Sequence, residues 1–426
     1  MKITSLLLLF FLIPTLAAAE QSYIEVTAPG NRALQLAIAP PTALAGGGDK
    51  KIAGDLAELF RFDTTLAGPF AVQEARVTEG KSGIRSGDFD FAAWKSSGAD
   101  LLLKTGYSIS GTTLTLECRL FDVVKESELT AKRYSGNIKD LRRMAHTFSD
   151  EILRAVTGEK GPFSGKIAFV SNATGNKEIY LMDYDGFNAQ RLTGNRAINL
   201  NPDFSPSGRE IIYTSYKKGN PDLYRRELFT GAEARISSSR GINIGGAWAP
   251  DGNRIALASS KDGHSQIYLI SKDGKLLTRL TKSSALDVSP AWAPDGSRLA
   301  FVSDRLGKPQ VFIMDADGKN VRRLTTSGAY NVGPRWSPQG DRIVYCRQQG
   351  GGFQIYAINP DGSGDTRLTS EGSNEHPRWS PDGRFIIFSS KRGGREALYV
   401  MRADGTGQTR VSRGKGDDSH PVWTRW

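Results

Sequence analysis

Two histidines, His376 and His420, stand three residues ahead of Trp379 and Trp423 in the matching phrases HPRW and HPVW. Paired imidazoles at equivalent places are raw material for a metal centre or a proton relay. A metal centre needs a third or fourth ligand, and the equivalent places upstream hold Asn201, Gly245, Ser289 and Gly333, which offer no imidazole, thiolate or carboxylate. The pair therefore reads as part of a peptide-binding mouth. Metal-dependent polysaccharide lyase chemistry, or another hydrolase on the same scaffold, is the alternative.

Other chemistry is not encoded by any motif. The chain has no G-x-S-x-G, no H-E-x-x-H, no P-loop and no strand-G-x-G-x-x-G-helix arrangement. The string DADG from Asp315 resembles part of a calcium loop but lacks the remaining ligands and the closing glutamate, so it reads as a turn. We expect no enzymatic activity, no cofactor and no bound metal.

The histidines belong to a larger pattern. Polar residues gather beside small ones in six equivalent segments, giving as candidate binding residues Asn199, Asn201, Asn243, Gly245, Asp287, Ser289, Asn331, Gly333, Asn374, Glu375, His376, Asp418 and His420. The second segment carries Gly245-Gly246 where the others end in proline. One polar loop would only satisfy its own turn; six in register make a binding face.

The elements that must hold them follow from the spacing. Phe204, Trp248, Trp292, Trp336, Trp379 and Trp423 recur at intervals of 44, 44, 44, 43 and 44 residues. Such a period means a propeller or a solenoid. Each repeat contains a strand ending in the aromatic, a tight turn, then strands such as RLAFVS, QVFIMD and VRRLT, with no helical period between. Four strands per unit is a propeller blade. Ala293-Pro294-Asp295-Gly296 explains its turn, since proline presets φ and glycine accepts positive φ. A second hairpin is marked by Asp-Gly at 185, 273, 317, 361 and 404. The repeats begin with KIAFVS at Lys166, a second-type strand, and end on Val422-Trp423, a first-type strand. Six blades should close through that last strand and leave no open edge.

Residues 20–160 lack the period and predict a mixed α+β domain. Strands are expected at LQLAIAP, PFAVQE, DLLLKTGYSIS, TLTLECRLFD and ELTAKRYS, with helices at KIAGDLAELFRF and over Ile138 to Val156. In the second helix Ile138, Leu141, Ala145, Phe148, Ile152 and Val156 share one face, which should cover the small sheet. GEKGPFSG is too short a linker to let the domains drift apart. The expected division is a leader at 1–19, the mixed domain at 20–160 and the six-bladed propeller at 161–426.

The leader MKITSLLLLFFLIPTLAAAE has a basic start, a short apolar run and an A-x-A site before Glu20, which predicts export. It contains no lipobox cysteine. Cys118 and Cys346 lie in different predicted domains and read as buried free thiols. The formal charge of +11 is spread through the repeats and reads as a solvated basic surface rather than a nucleic-acid site.

With leader, mixed domain, the junction AHTFSDEILRAVTGEKGPF and six WSPDG-type repeats in this order, the chain resembles the TolB family of the Tol-Pal envelope system of Gram-negative bacteria. The likeness covers essentially the full length. It implies a non-enzymatic, monomeric periplasmic protein that binds the lipoprotein Pal through the propeller, and so sits at the outer membrane. It also implies a contact with TolA through the mature N-terminus, here Glu20, Gln21, Ser22, Tyr23, Ile24, Glu25, Val26 and Thr27. The implied roles are outer-membrane integrity, envelope constriction during cell division and protein import, with the N-terminal segment responding to what occupies the propeller.

Overall fold

The computed structural model describes residues 32–45, 48–74 and 83–424. The leader and the segment Glu20 to Thr27 lie outside the described residues.

The first domain is a six-stranded sheet backed by helices. Its strands are β1 (Leu34–Ile38), β2 (Thr42–Ala45), β3 (Phe70–Glu74), β4 (Leu101–Ser110), β5 (Thr113–Asp122) and β6 (Ser127–Asn137), in the order β3-β1-β4-β5-β6 with β2 beside β4. Helix α1 (Lys50–Ala67) starts where the Asp49 carboxylate accepts the N–H groups of Lys51 and Ile52. A short α2 (Phe91–Ser96) was not legible, nor was β2. Helix α3 (Leu141–Thr157) buries Leu141, Ala145, Phe148, Ile152 and Val156 as the periodicity predicts; Ile138 sits ahead of it in a 3-10 turn. Gly158 ends α3 in the left-handed conformation, its N–H bonded to the Arg154 carbonyl.

The rest is a six-bladed propeller. Blades one to five start at Asn199, Asn243, Asp287, Asn331 and Asn374, and each is a four-stranded antiparallel sheet. The sixth takes its innermost strand, Asp418–Trp423, from the far end of the chain and pairs it with Lys166–Ser171, so the ring closes as the repeat count predicts. The outermost strands are reduced, in four blades, to two paired residues such as Arg322–Arg323. Each innermost strand ends in a buried aromatic, Phe204, Trp248, Trp292, Trp336, Trp379 or Trp423.

The Asp-Gly hairpins do more than turn the chain. Gly318 has φ +86°, and a side chain there would strike the Leu280 carbonyl of the preceding blade; Gly274 meets Ile236 in the same way. Blades nest only because that corner is glycine. Cys118 and Cys346 are both buried and unpaired. Among the described residues no helix is long and apolar enough to cross a membrane.

The two domains share one apolar core, running from Leu56, Phe60 and Phe148 through Phe163 to Tyr184, Phe385 and Trp423. Tyr184 stacks on Trp423 with centroids 5.6 Å apart. The expected linker is itself packed, with Phe163 at 1% exposure. Beside it, His146 Nδ1 lies 2.9 Å from Asp63 and Nε2 3.2 Å from Asp185, while Tyr184 donates its hydroxyl to Asp63. Burial alone would push the imidazole down, but the two carboxylates outweigh it and lift the His146 pKa to about 10. Arg402 adds hydrogen bonds to the carbonyls of Thr65 and Leu66.

Candidate functional site

A single backbone irregularity, repeated six times, builds the mouth of the channel. In blade one the ladder steps from Leu200 opposite Thr214 to Asp203 opposite Ile212, leaving Asn201 and Pro202 against one residue. This is a β-bulge, and the register shifts at the same place in every blade. The first bulge residue is always left-handed: Asn201 (φ 53°), Gly245 (63°), Ser289 (55°), Gly333 (64°), His376 (56°) and His420 (49°). For four non-glycine side chains that conformation is costly, and it recurs where the strand turns its third residue toward the channel.

Asn201, Ser289, Gly333, Glu375, His376 and His420 line one cavity of about 180 Å³. Blade two joins the ring as an ordinary strand despite its Gly-Gly: Gly246 is buried against Ile212 and Leu223.

Six other expected binding residues lie beneath the mouth, not on it. Asn199, Asn243, Asp287, Asn331, Asn374 and Asp418 are buried, at 2% exposure or less. Their polar groups are spent inside the blades. Asn374 donates to Gln354 Oε1 at 3.0 Å and to the Glu371 carbonyl at 2.9 Å, and accepts from Arg392 at 3.0 Å. Asn331 repeats this with Gln310, Ser327 and Arg347, and Asp287 accepts from Ser283 and Arg305. These residues latch successive strands together inside the blades; on Asp418, Oδ1 is buried without a hydrogen-bond partner among the described residues.

The expected pairing of His376 and His420 is present, with ring centroids 3.6 Å apart. Ser389 Oγ lies 3.2 Å from both His376 Nδ1 and the Glu375 carbonyl. The carbonyl can only accept, so it takes the hydroxyl proton; Nδ1 then donates to Oγ and Nε2 carries the lone pair. Burial, then the charges of Arg335 and Arg378, hold the His376 pKa down to about 3, and His420 is also held well below its usual value. Stacked imidazoles are stable as a neutral pair. Among the described residues no group of three or more His, Cys, Asp or Glu side chains is placed to hold a metal ion.

Two features of this face escaped the sequence reading. Ile198, Tyr216, Leu286, Leu306 and Tyr330 are exposed around blades one, three and four, beside the innermost strands' starting ends. Deeper in the channel, Arg335 and Arg378 reach toward Asp203, with Arg378 Nη1 3.3 Å from the carboxylate. Aligning the repeats would have exposed the arginines, because the residue before each aromatic is otherwise Asp203, Ala247, Ala291 or Val422.

The family model of the TolB beta propeller domain matches residues 153–426, and that of the TolB amino-terminal domain matches residues 22–129. The Tol-Pal system protein TolB of Geobacter sulfurreducens is 64% identical over 204 residues, 48% of this chain and 47% of that protein. Its namesake from Syntrophotalea carbinolica is 47% identical over 210 residues, 48% of each. The chain thus spans about half the length of the curated relatives it matches. The crystal structure of TolB from Acinetobacter baumannii superposes with a TM-score of 0.80 at 25% identity, covering 92% of this chain and 97% of that one. With its propeller domain matched from end to end and its fold shared, the chain belongs to the TolB family.

Proposed function

We propose that this protein is a non-enzymatic, monomeric component of a periplasmic Tol-Pal system that docks Pal on the mouth of its propeller. The observation that carries this reading is the sixfold bulge, which spends backbone strain to aim Asn201, Ser289, His376 and His420 into one opening. The exposed Ile198, Leu286, Leu306 and Tyr330 add apolar area around it, as a protein partner requires. The leader at 1–19 is removed, the domain boundary falls at residue 160, and Glu20 to Thr27 adds as a strand to TolA. Docking at the mouth links the two partners, supporting outer-membrane integrity and constriction at division.

Calorimetric titration with the soluble domain of Pal tests the reading. His376→Ala and His420→Ala should each weaken binding by about tenfold or more if they are central anchors. Unchanged affinity in both would reject the mouth as the docking site. Deleting residues 20–27 should abolish capture of TolA and leave Pal binding intact.

A further inference from the structure

At the residues that follow the bulges the charges do not balance. Arg335 and Arg378 come from neighbouring blades four and five, and Asp203 from blade one. One Asp203 oxygen accepts the Trp248 N–H at 2.9 Å; the other faces Arg378 at 3.3 Å. Arg335 donates through Nη1 to the Pro334 carbonyl at 2.6 Å, and its buried Nε finds no partner among the described residues. Two guanidinium groups therefore share one carboxylate, and a buried N–H is left over. Leaving such a donor unpaired is unfavourable, so a ligand that accepts from it is favoured.

The place is reachable. Arg335 and Arg378 line both the cavity of about 180 Å³ that the histidines also line and a cavity of about 330 Å³ on the opposite face. Blades two and three contribute only the uncharged Ala247 and Ala291 at the equivalent positions, so no further carboxylate there balances the arginines. Glu375 lines the same mouth, where burial and the charge of Glu396 outweigh Lys391 and raise its pKa, disfavouring its charged form. A planar carboxylate matches both the fork geometry and the missing charge.

We propose that Arg335 and Arg378 form a carboxylate-binding subsite inside the channel, entered past the His376–His420 stack and suited to an acidic side chain or a C-terminal carboxylate of a peptide. This goes beyond the docking of Pal, because it concerns what the channel interior holds whichever protein covers the mouth.

The test uses the full mature chain and two probes, N-acetylglycine for a C-terminal carboxylate and the α-amide of N-acetylaspartate, which keeps its free β-carboxylate, for a side chain. N-acetylglycinamide at matched ionic strength is the neutral control. With arginine labelled by nitrogen-15, the Nε–H resonance of Arg335, assigned through Arg335→Lys, should move saturably with one or both acids and not with the amide. Arg378→Gln should weaken that response about tenfold, as expected for loss of a charge-assisted bond. Whichever acid binds more tightly identifies the source of the carboxylate. A resonance that neither acid moves, or an undiminished response in Arg378→Gln, overturns the subsite, and the wild-type titration decides even if the variant fails to fold. Pal binding is measured separately, so the two readings fail independently.

Discussion

His376 and His420 stack with their ring centroids 3.6 Å apart and 27° between planes, although 44 positions of sequence separate them. One repeat of chain equals one blade, so residues one period apart become neighbours across the channel wall. The stack places two neutral rings at the mouth, with a lone pair on His376 Nε2, and Arg335 and Arg378 line the same cavity.

The buried latch and the exposed mouth should separate by mutation. Asn374→Ala removes hydrogen bonds from a buried site and should lower stability by about 1–3 kcal/mol, read by urea denaturation, while leaving Pal affinity of the folded protein near wild type. His376→Ala should do the reverse. An Asn374→Ala protein of normal stability would show that the latch is not structural.

The histidine pair sets an acid limb. A base whose folded pKa lies below its unfolded value of about 6.5 takes up its proton mainly in the unfolded chain as pH falls. Its contribution is thus complete above about pH 6.5 and is lost progressively toward the folded value of about 3 for His376. The loss is at most about 1.4 kcal/mol per pH unit for each ring. Replacing both with glutamine should flatten stability between pH 6.5 and 4; an unchanged slope would contradict this.

His146 sets the opposite limb. Its pKa is raised to about 10 between Asp63 and Asp185, so its contribution is complete below about pH 6.5 and falls away as pH rises toward 10. Because the network joins α1, α3 and the Asp185 hairpin, alkali should loosen the seam between the domains. His146→Gln should destabilise the protein at pH 7 by a few kcal/mol, about the cost of breaking a buried ion pair, and abolish the extra loss at pH 9. Limited proteolysis across the junction, unchanged between pH 7 and 9, would count against it.

Ring closure depends on residues at the far end of the chain. Deleting residues 417–426 removes the strand paired with Lys166–Ser171 and the Trp423 ring stacked on Tyr184. The melting temperature should fall sharply, since an open blade edge and a large core cavity appear together. An unchanged melt by circular dichroism would refute the closure.

Much of this was legible in the chain itself. The 44-residue period fixed the number of blades, and the asymmetric start at Lys166 fixed how the ring closes, because a hairpin and a turn are local events written in local residues. The Asp-Gly corners were readable as turns. That Gly318 also lies against the preceding blade's backbone was not, since contact between blades is a matter of packing. Short pieces such as α2 and β2 carry too few residues to show a period.

The mouth divides in the same way. The sequence placed His376 beside His420 and marked the six segments, yet it treated Asn374 and His376 as equivalent binding residues. Only the tertiary structure separates them. A left-handed bulge after the second residue of each innermost strand breaks the alternation of sides, so the first residue turns into the blade and the third into the channel. The arginine pair was likewise present in the letters, as GPRW and HPRW, but its meaning depends on Asp203 standing across a channel that exists only once the ring has closed.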